Sequence, residues 1–363
     1  MMVLLLLSSV GSVSALGTSA KAAALICGDT GEVLYSKNAD ERLPMASTTK
    51  IMTALLLCEA GEPEKTLTVT QEMVRVEGSS MGLLPGDTVS RHDLLYGMLL
   101  ASGNDAANVT AYHLAGSLTA FADLMNQKAA ALGLPNTRFV TPSGLDDENH
   151  YTTAKELALL AREALKNEEF VAASSAQSAR LCYGNPPYHR TLTNHNKLLK
   201  SYDGLIGVKT GFTKRSGRCL VTAAKKEGRY VIAVTLSDPD DWRDHQSLLD
   251  FGLSVVQPVS MPEKTLPTSV RVVGGNKASV QTVADVMSFS CFDQDKVTYK
   301  VQMPPFLYAP IEKEQAIGSV ECYYEGRLIE SASVYSTEQV GETSFLTLKE
   351  KYLKTIKGIL ENF

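Results

Sequence analysis

Two apolar runs, AAALIC and VLYSKN, flank the turn-forming cluster Asp29 to Gly31, and this pattern predicts a hairpin of two strands early in the folded chain. The pattern then changes in the stretch MASTTKIMTALLL, residues 45–57. From Ser47 onward its apolar residues cover nearly every face of a helix, which predicts a helix buried at the centre of a domain rather than lying on its surface. Helical periods recur over 92–101, 105–116, 119–132 and 153–166, and strand-like runs follow at 218–224 and 229–236. An early hairpin, a block of helices and late strands together predict an α/β (α+β) fold in which an antiparallel sheet is covered by helices.

Near residue 258 the stretch QPVSMPEKTLP brings prolines at 258, 262 and 267 and reads as a linker over 258–268. Beyond it SVRVVGG, VTYKVQM and SVECYYEGRLIESASVYS alternate like short strands, with Glu325–Gly326 as a hairpin turn, so a small β-rich domain is expected over 269–341. Residues 342–363 return to a helical period. At about 100° per residue Leu348, Tyr352, Leu353, Ile356, Ile359, Leu360 and Phe363 share a sector roughly 140° wide. Lys351, Lys354 and Lys357 lie opposite, and only Lys349 intrudes. Such a helix suits the surface of an anionic membrane, with docking onto the protein's own second domain as the alternative.

The length of 363 residues fits two domains, the first of them, residues 23–257, large enough for a substantial core. A formal charge of −5 with both signs mixed throughout gives no footprint for nucleic acid. The first residues hold an apolar core, Val3 to Leu7, and small residues with an A-x-A-like site ending at Ala15 or Ala22, so residues 1–22 are expected to be a signal for export. No basic residue precedes that core. Cys27, Cys58, Cys182, Cys219, Cys291 and Cys322 are scattered without ligand spacing, and most are expected to be buried free thiols. The histidines form no HExxH, and no metal or organic cofactor is implied.

Ser47 and Lys50 form an S-x-x-K, a pattern that by itself is weak, because a chain of this length should hold about one by chance. An ordinary reading of Ser47 is a helix N-cap. Two further tripeptides change this: Ser102-Gly103-Asn104 and Lys209-Thr210-Gly211 follow in that order. A second S-x-N, Ser36-Lys37-Asn38, precedes the serine–lysine pair and fits no active-site scheme. Residues i and i+3 share a helix face, so Ser47 and Lys50 can meet. A serine hydroxyl needs a base to become a nucleophile, and a lysine serves as one only when neutral, as burial and a nearby cation favour.

The ordered motifs resemble the penicillin-binding proteins and class A β-lactamases. Within that group the chain is most similar to the low-molecular-weight, serine-type D-alanyl-D-alanine carboxypeptidases. The likeness extends to GSSMGLLPGD, LLYGMLLASGNDAA, TPSGLDDENHYTTAKELA and DGLIGVKTGFT. The resemblance implies that Ser47 is acylated with Lys50 as its base and that Ser102 relays a proton to the leaving amine. It further implies that Asn104 holds the substrate amide and that Lys209 and Thr210 hold the terminal carboxylate. Gly211 lets the substrate lie close, and the backbone N–H groups of Ser47 and Phe212 receive the oxyanion. The implied partners are a peptidoglycan stem peptide ending in D-Ala-D-Ala, β-lactams as inhibitors and the outer face of the cytoplasmic membrane.

Arg218, on the strand after Lys-Thr-Gly, could add charge toward a carboxylate. His150 and the run DPDDWRDH are read as loop-packing or helix-capping groups. Two other functions share the three motifs: a β-lactamase, and a non-catalytic penicillin-binding sensor or wall-binding module. The E-x-x-L-N pattern of class A β-lactamases does not occur between Asn104 and Lys209.

Overall fold

A computed structural model of the chain describes residues 16–343 and 345–360. The described chain forms two compact units, one comprising residues up to 257 with 290–292, the other 258–289 with 293 onward. The apolar core Val3 to Leu7 of the expected signal lies outside the described residues.

In the first unit, strands β1 (Ala22–Cys27) and β2 (Val33–Lys37) form the expected hairpin. They are followed by helix α1 (Lys50–Glu59) and a small ladder of β3 (Thr66–Thr68) with β4 (Thr88–Ser90). Helices α2 (Arg91–Leu99), α3 (Asn104–Ala115), α4 (Leu118–Ala131), α5 (Ala154–Ala164) and α6 (Glu168–Ser175) come next. A hairpin of β5 (Ser178–Gly184) and β6 (Pro187–Thr193) leads into β7 (Leu205–Thr213), β8 (Gly217–Lys226), β9 (Arg229–Leu236) and α7 (Asp241–Val255). The main sheet is antiparallel throughout in the order β2-β1-β9-β8-β7, so β7, which carries Lys209-Thr210-Gly211, is an edge strand.

Both faces of this sheet are covered, which explains why β1 is apolar and buried at every position instead of alternating with polar residues. Leu25, Cys27, Val231 and Ala233 pack with Leu248 and Leu249 of α7. Their alternate neighbours, Ala24, Ile26, Ile232 and Val234, join the large core of Ile51, Leu55, Leu94, Val109 and Leu157 on the other side. Helix α1 is buried at every position from Lys50 to Cys58, as its all-round apolar pattern predicts.

In the second unit, after the short strand β10 (Gln257–Val259), a six-stranded sheet has the order β14-β16-β17-β12-β11-β15. Its members are β11 (Ser269–Val273), β12 (Ser279–Ala284), β14 (Val297–Gln302), β15 (Phe306–Tyr308), β16 (Ala316–Tyr324) and β17 (Arg327–Ser336), with the short β13 (Phe289–Cys291) between β12 and β14 in the chain. The β16–β17 turn has Glu325 at φ 48° and Gly326 at φ 78°, the left-handed pair that a two-residue hairpin with primed geometry requires. Helix α8 (Phe345–Leu360) follows. Its residues Tyr352, Leu353 and Ile356 are exposed. Among the described residues no helix is long and apolar enough to cross a membrane. Cys182 is exposed, whereas Cys27, Cys58, Cys219, Cys291 and Cys322 are buried free thiols.

Candidate active site

Ser47 does not sit in the α-helix itself. It lies in a 3-10 turn, Ala46–Thr49, and α1 begins at Lys50. Three residues per turn eclipse positions i and i+3 more closely than an α-helix does. Lys50 Nζ stands 3.0 Å from Ser47 Oγ. The turn's other hydroxyls, of Thr48 and Thr49, bond back to the carbonyls of Met45 and Ala46, so Ser47 Oγ is left to Lys50 rather than spent on a cap. Ala46 holds a left-handed φ of 48° at this point.

Lys50 is fully buried, with Asn104 Oδ1 at 2.7 Å and the carbonyl of Ser143 at 2.8 Å as further acceptors. Burial first, and then the charge of Lys209, push its amine well below the usual lysine range, while Asp105 acts weakly the other way. A neutral amine has two N–H groups and one lone pair. Asn104 and Ser143 can accept both hydrogens, which leaves the lone pair for the proton of Ser47.

The three motifs converge from three elements. Ser102, at φ 57°, and Asn104 stand at the entry of α3. Lys209 Nζ on β7 donates to Ser102 Oγ at 3.0 Å and to its neighbour's carbonyl, Thr210 O, at 2.9 Å. Burial brings the Lys209 amine down to about 7. Gly211 passes so close to the serine turn that a Cβ there would lie 3.1 Å from Ser47 N and from Met45 O, so β7 runs against the backbone that carries Ser47. Ser47, Ser102, Thr210, Gly211 and Phe212 line one open cleft, with Lys50, Asn104 and Lys209 buried beneath it. The Phe212 side chain is exposed at the rim.

This arrangement of a serine, a buried lysine beside it and a second lysine on an edge strand accompanies a match of residues 9–240 to the D-alanyl-D-alanine carboxypeptidase family. The chain belongs to that family. Members of this family are serine hydrolases, and the solved neighbours include low-molecular-weight penicillin-binding proteins. Residues 259–342 match the C-terminal domain of penicillin-binding protein 5. The chain is 34% identical over 353 residues to the D-alanyl-D-alanine carboxypeptidase DacF of Bacillus subtilis, covering 93% of this chain and 90% of that one. It is 33% identical over 360 residues to DacC of Escherichia coli, covering 92% and 87%. The structure of penicillin-binding protein 5 from Haemophilus influenzae superposes with a TM-score of 0.64 at 27% identity, over 90% of this chain and 98% of that one.

Within this family site, several residues escaped the sequence reading. Ser143 acts through its carbonyl, which no side-chain motif reveals. Gly144 lets that loop reach Lys50: a Cβ there would lie 1.9 Å from Ala46 O. Both fall in TPSGLDD, a stretch singled out by resemblance but without a role. His195 lines the cleft wall and is held below its usual range, first by desolvation and then by Lys209.

The run DPDDWRDH serves in loop packing: Asp238 Oδ1 accepts from Asp240 N at 3.1 Å and from Ser19 Oγ at 2.7 Å, and the buried His245 meets the hydroxyls of Thr222 and Thr235. Asp240, the N-cap of α7, makes no side-chain cap bond. Asp241 instead accepts from Nε and Nη2 of Arg218 at 2.9 and 2.7 Å, and the Arg218 guanidinium lies 5.4 Å from the Trp242 ring centre. All three residues line the cleft. His150 also serves in loop packing. Its Nδ1 accepts from Val140 N at 3.0 Å and its Nε2 faces Thr49 Oγ1 at 2.7 Å, and burial lowers it to about 4, so it stays neutral.

Proposed function

We propose that this protein removes the terminal D-alanine from peptidoglycan stem peptides ending in D-Ala-D-Ala, through an acyl-enzyme on Ser47, and that β-lactams acylate the same serine. The observation that carries this reading is the Lys50 amine, buried and held by Asn104 and Ser143 with Ser47 Oγ at 3.0 Å. Lys50 takes the Ser47 proton as Oγ attacks the carbonyl between the two D-alanines, and the oxyanion meets the N–H groups of Ser47 and Phe212. The C–N bond then breaks, a proton passes through Ser102 to the leaving amine, and water later hydrolyses the ester. Incubating the protein with a D-Ala-D-Ala pentapeptide should release D-alanine catalytically. Labelling by penicillin without release of D-alanine would instead identify a sensor, and rapid hydrolysis of the β-lactam a β-lactamase.

Recognition of the free carboxylate is assigned to Lys209 and Thr210, with Arg218 as a further positive group. Arg218 is 41% exposed, and its pairing with Asp241 leaves Nη1 directed by the same fixed plane. Amidating the terminal D-alanine is expected to lower kcat/KM by roughly ten- to a hundredfold, the worth of a lost charged hydrogen bond. Arg218→Gln should raise KM for the acid by about tenfold and leave the amide nearly unaffected. Equal losses for acid and amide would remove Arg218 from carboxylate recognition.

Export and attachment to the outer face of the cytoplasmic membrane complete the proposal. Ser19 Oγ donates to Asp238 and Asp244, and Lys21 N donates to Ser237 O at 3.0 Å, so cleavage after Ala15 keeps these bonds and cleavage after Ala22 removes them. The exposed Tyr352, Leu353 and Ile356 of α8 favour a membrane-facing stripe over one docked on the protein. A chain ending at Phe345 is expected to lose binding to anionic liposomes while keeping its fold. Equal binding by both chains, or unfolding of the shorter one, would favour docking.

A further inference from the structure

The loop over 77–87 lies beside the site and is held from two directions. From α3, the Asp105 carboxylate accepts from the backbone N–H groups of Met81, Gly82 and Leu83 at 3.0 Å each and from Ser80 Oγ at 2.6 Å. The loop in turn grips the neighbour of Asp105. Ser79 O accepts from Asn104 N at 2.7 Å, and Glu77 O accepts from Asn104 Nδ2 at 2.6 Å, which turns the Asn104 carbonyl oxygen toward Lys50.

The second hold comes from the β5–β6 hairpin, which contributes nothing to the three motifs. Arg190 is stacked between two tyrosine rings, with its guanidinium carbon 4.3 Å from the centre of Tyr183 and 4.0 Å from that of Tyr188. From this slot its Nη1 donates to Gly82 O at 2.6 Å and Met81 O at 3.2 Å, and Tyr183 Oη donates to Met81 O at 2.6 Å. Asp105 therefore satisfies the loop's N–H groups, and the hairpin satisfies its carbonyls. Gly82 is required where they meet, since its φ is 83° and a Cβ would lie 3.3 Å from Arg190 Nη1.

We infer that Arg190 is a positioning residue for the reaction, its stacked guanidinium locking the 77–87 loop against Asp105 and so fixing the Asn104 amide that orients Lys50. This rests on the assignment of Ser47 and Lys50 as nucleophile and base. A lysine in place of Arg190 keeps the charge but not the planar stack between the two rings, so the conservative replacement does not restore the lock. Release of the loop lets Asn104 turn and water reach Lys50. The charged groups facing Lys50 are Lys209 on β7 and Asp105 on α3, and neither changes in such a variant.

The test uses the full chain and its Arg190→Gln, Arg190→Lys and Tyr183→Phe variants, with the rate of acylation by a fluorescent penicillin followed across pH and expressed per folded molecule by circular dichroism. Both Arg190 variants are expected to acylate about tenfold more slowly, the loss of a charge-assisted hydrogen bond. The acid limb of their profiles should move to higher pH, because a better-solvated Lys50 is protonated more readily. Tyr183→Phe, which keeps its ring, should lose about threefold, as for one neutral hydrogen bond. Arg190 variants that acylate within twofold of the unaltered chain with an unmoved acid limb would overturn this inference alone. No labelling of the unaltered chain at any pH would overturn it together with the assignment of Ser47.

Discussion

Alanine in place of Ser47 is expected to abolish covalent labelling by penicillin and to lower D-alanine release by roughly 10⁵- to 10⁶-fold, as for loss of a nucleophile that acts as one unit with its base. Ser47 is the only serine in the chain with a lysine three residues on. Its hydroxyl stands 3.0 Å from the Lys50 amine, in the cleft that also holds Ser102 and Thr210. The substitution removes one oxygen from a half-buried position, so the fold should persist. Mass spectrometry after incubation with a β-lactam checks this directly. Adduct formation in the folded alanine variant would move the nucleophile to another residue.

Replacement of Lys50 should slow acylation by roughly 10²- to 10⁴-fold, the usual cost of a lost general base. Lys50→Arg is the sharper test, because arginine keeps a long side chain with hydrogen-bond donors but does not give up its proton at working pH. The direction of the pH dependence follows from the two lysines. Lys50 is held well below the ordinary lysine range by burial and by Lys209, so the neutral amine persists to lower pH than in a free lysine, and the rate falls as pH drops through that lowered value. Lys209 loses its charge in the free protein as pH rises through about 7, which weakens capture of the carboxylate. The profile of kcat/KM should therefore decline above about 7. Bound carboxylate favours the charged amine, so the alkaline limb of kcat should lie at higher pH. Near-normal acylation by Lys50→Arg, with an unchanged profile, would assign the proton to another base.

Much of the chain was legible because its local patterns agree with its fold. The all-round apolar stretch after Lys50 is a buried helix, and Glu325–Gly326 is the turn its residue types demand. The β5–β6 hairpin was not legible. Its β6 strand, PYHRTLT, is exposed or half-buried at every position, so no apolar alternation announces it. Helix α7 was hidden for a related reason, since its acidic start DPDDWRDH has the texture of a loop.

By itself the sequence determined which groups to look for in one cleft, because a serine, lysine, serine, asparagine and lysine in that order leave few alternatives once S-x-x-K, S-x-N and K-T-G stand together. It also determined the helix-covered antiparallel sheet, through periodicities that are local properties of the chain. Only the tertiary structure decided the surroundings that depress the Lys50 amine. Its amine is desolvated by surrounding packing, faced by Lys209 from an edge strand and held by the carbonyl of Ser143 from a distant loop. Only the tertiary structure, too, brought Arg218 to Asp241 and Trp242, and Arg190 to the loop that grips Asn104. Desolvation and backbone hydrogen bonds arise from contacts between segments far apart in the chain, and a single sequence carries no local pattern for them.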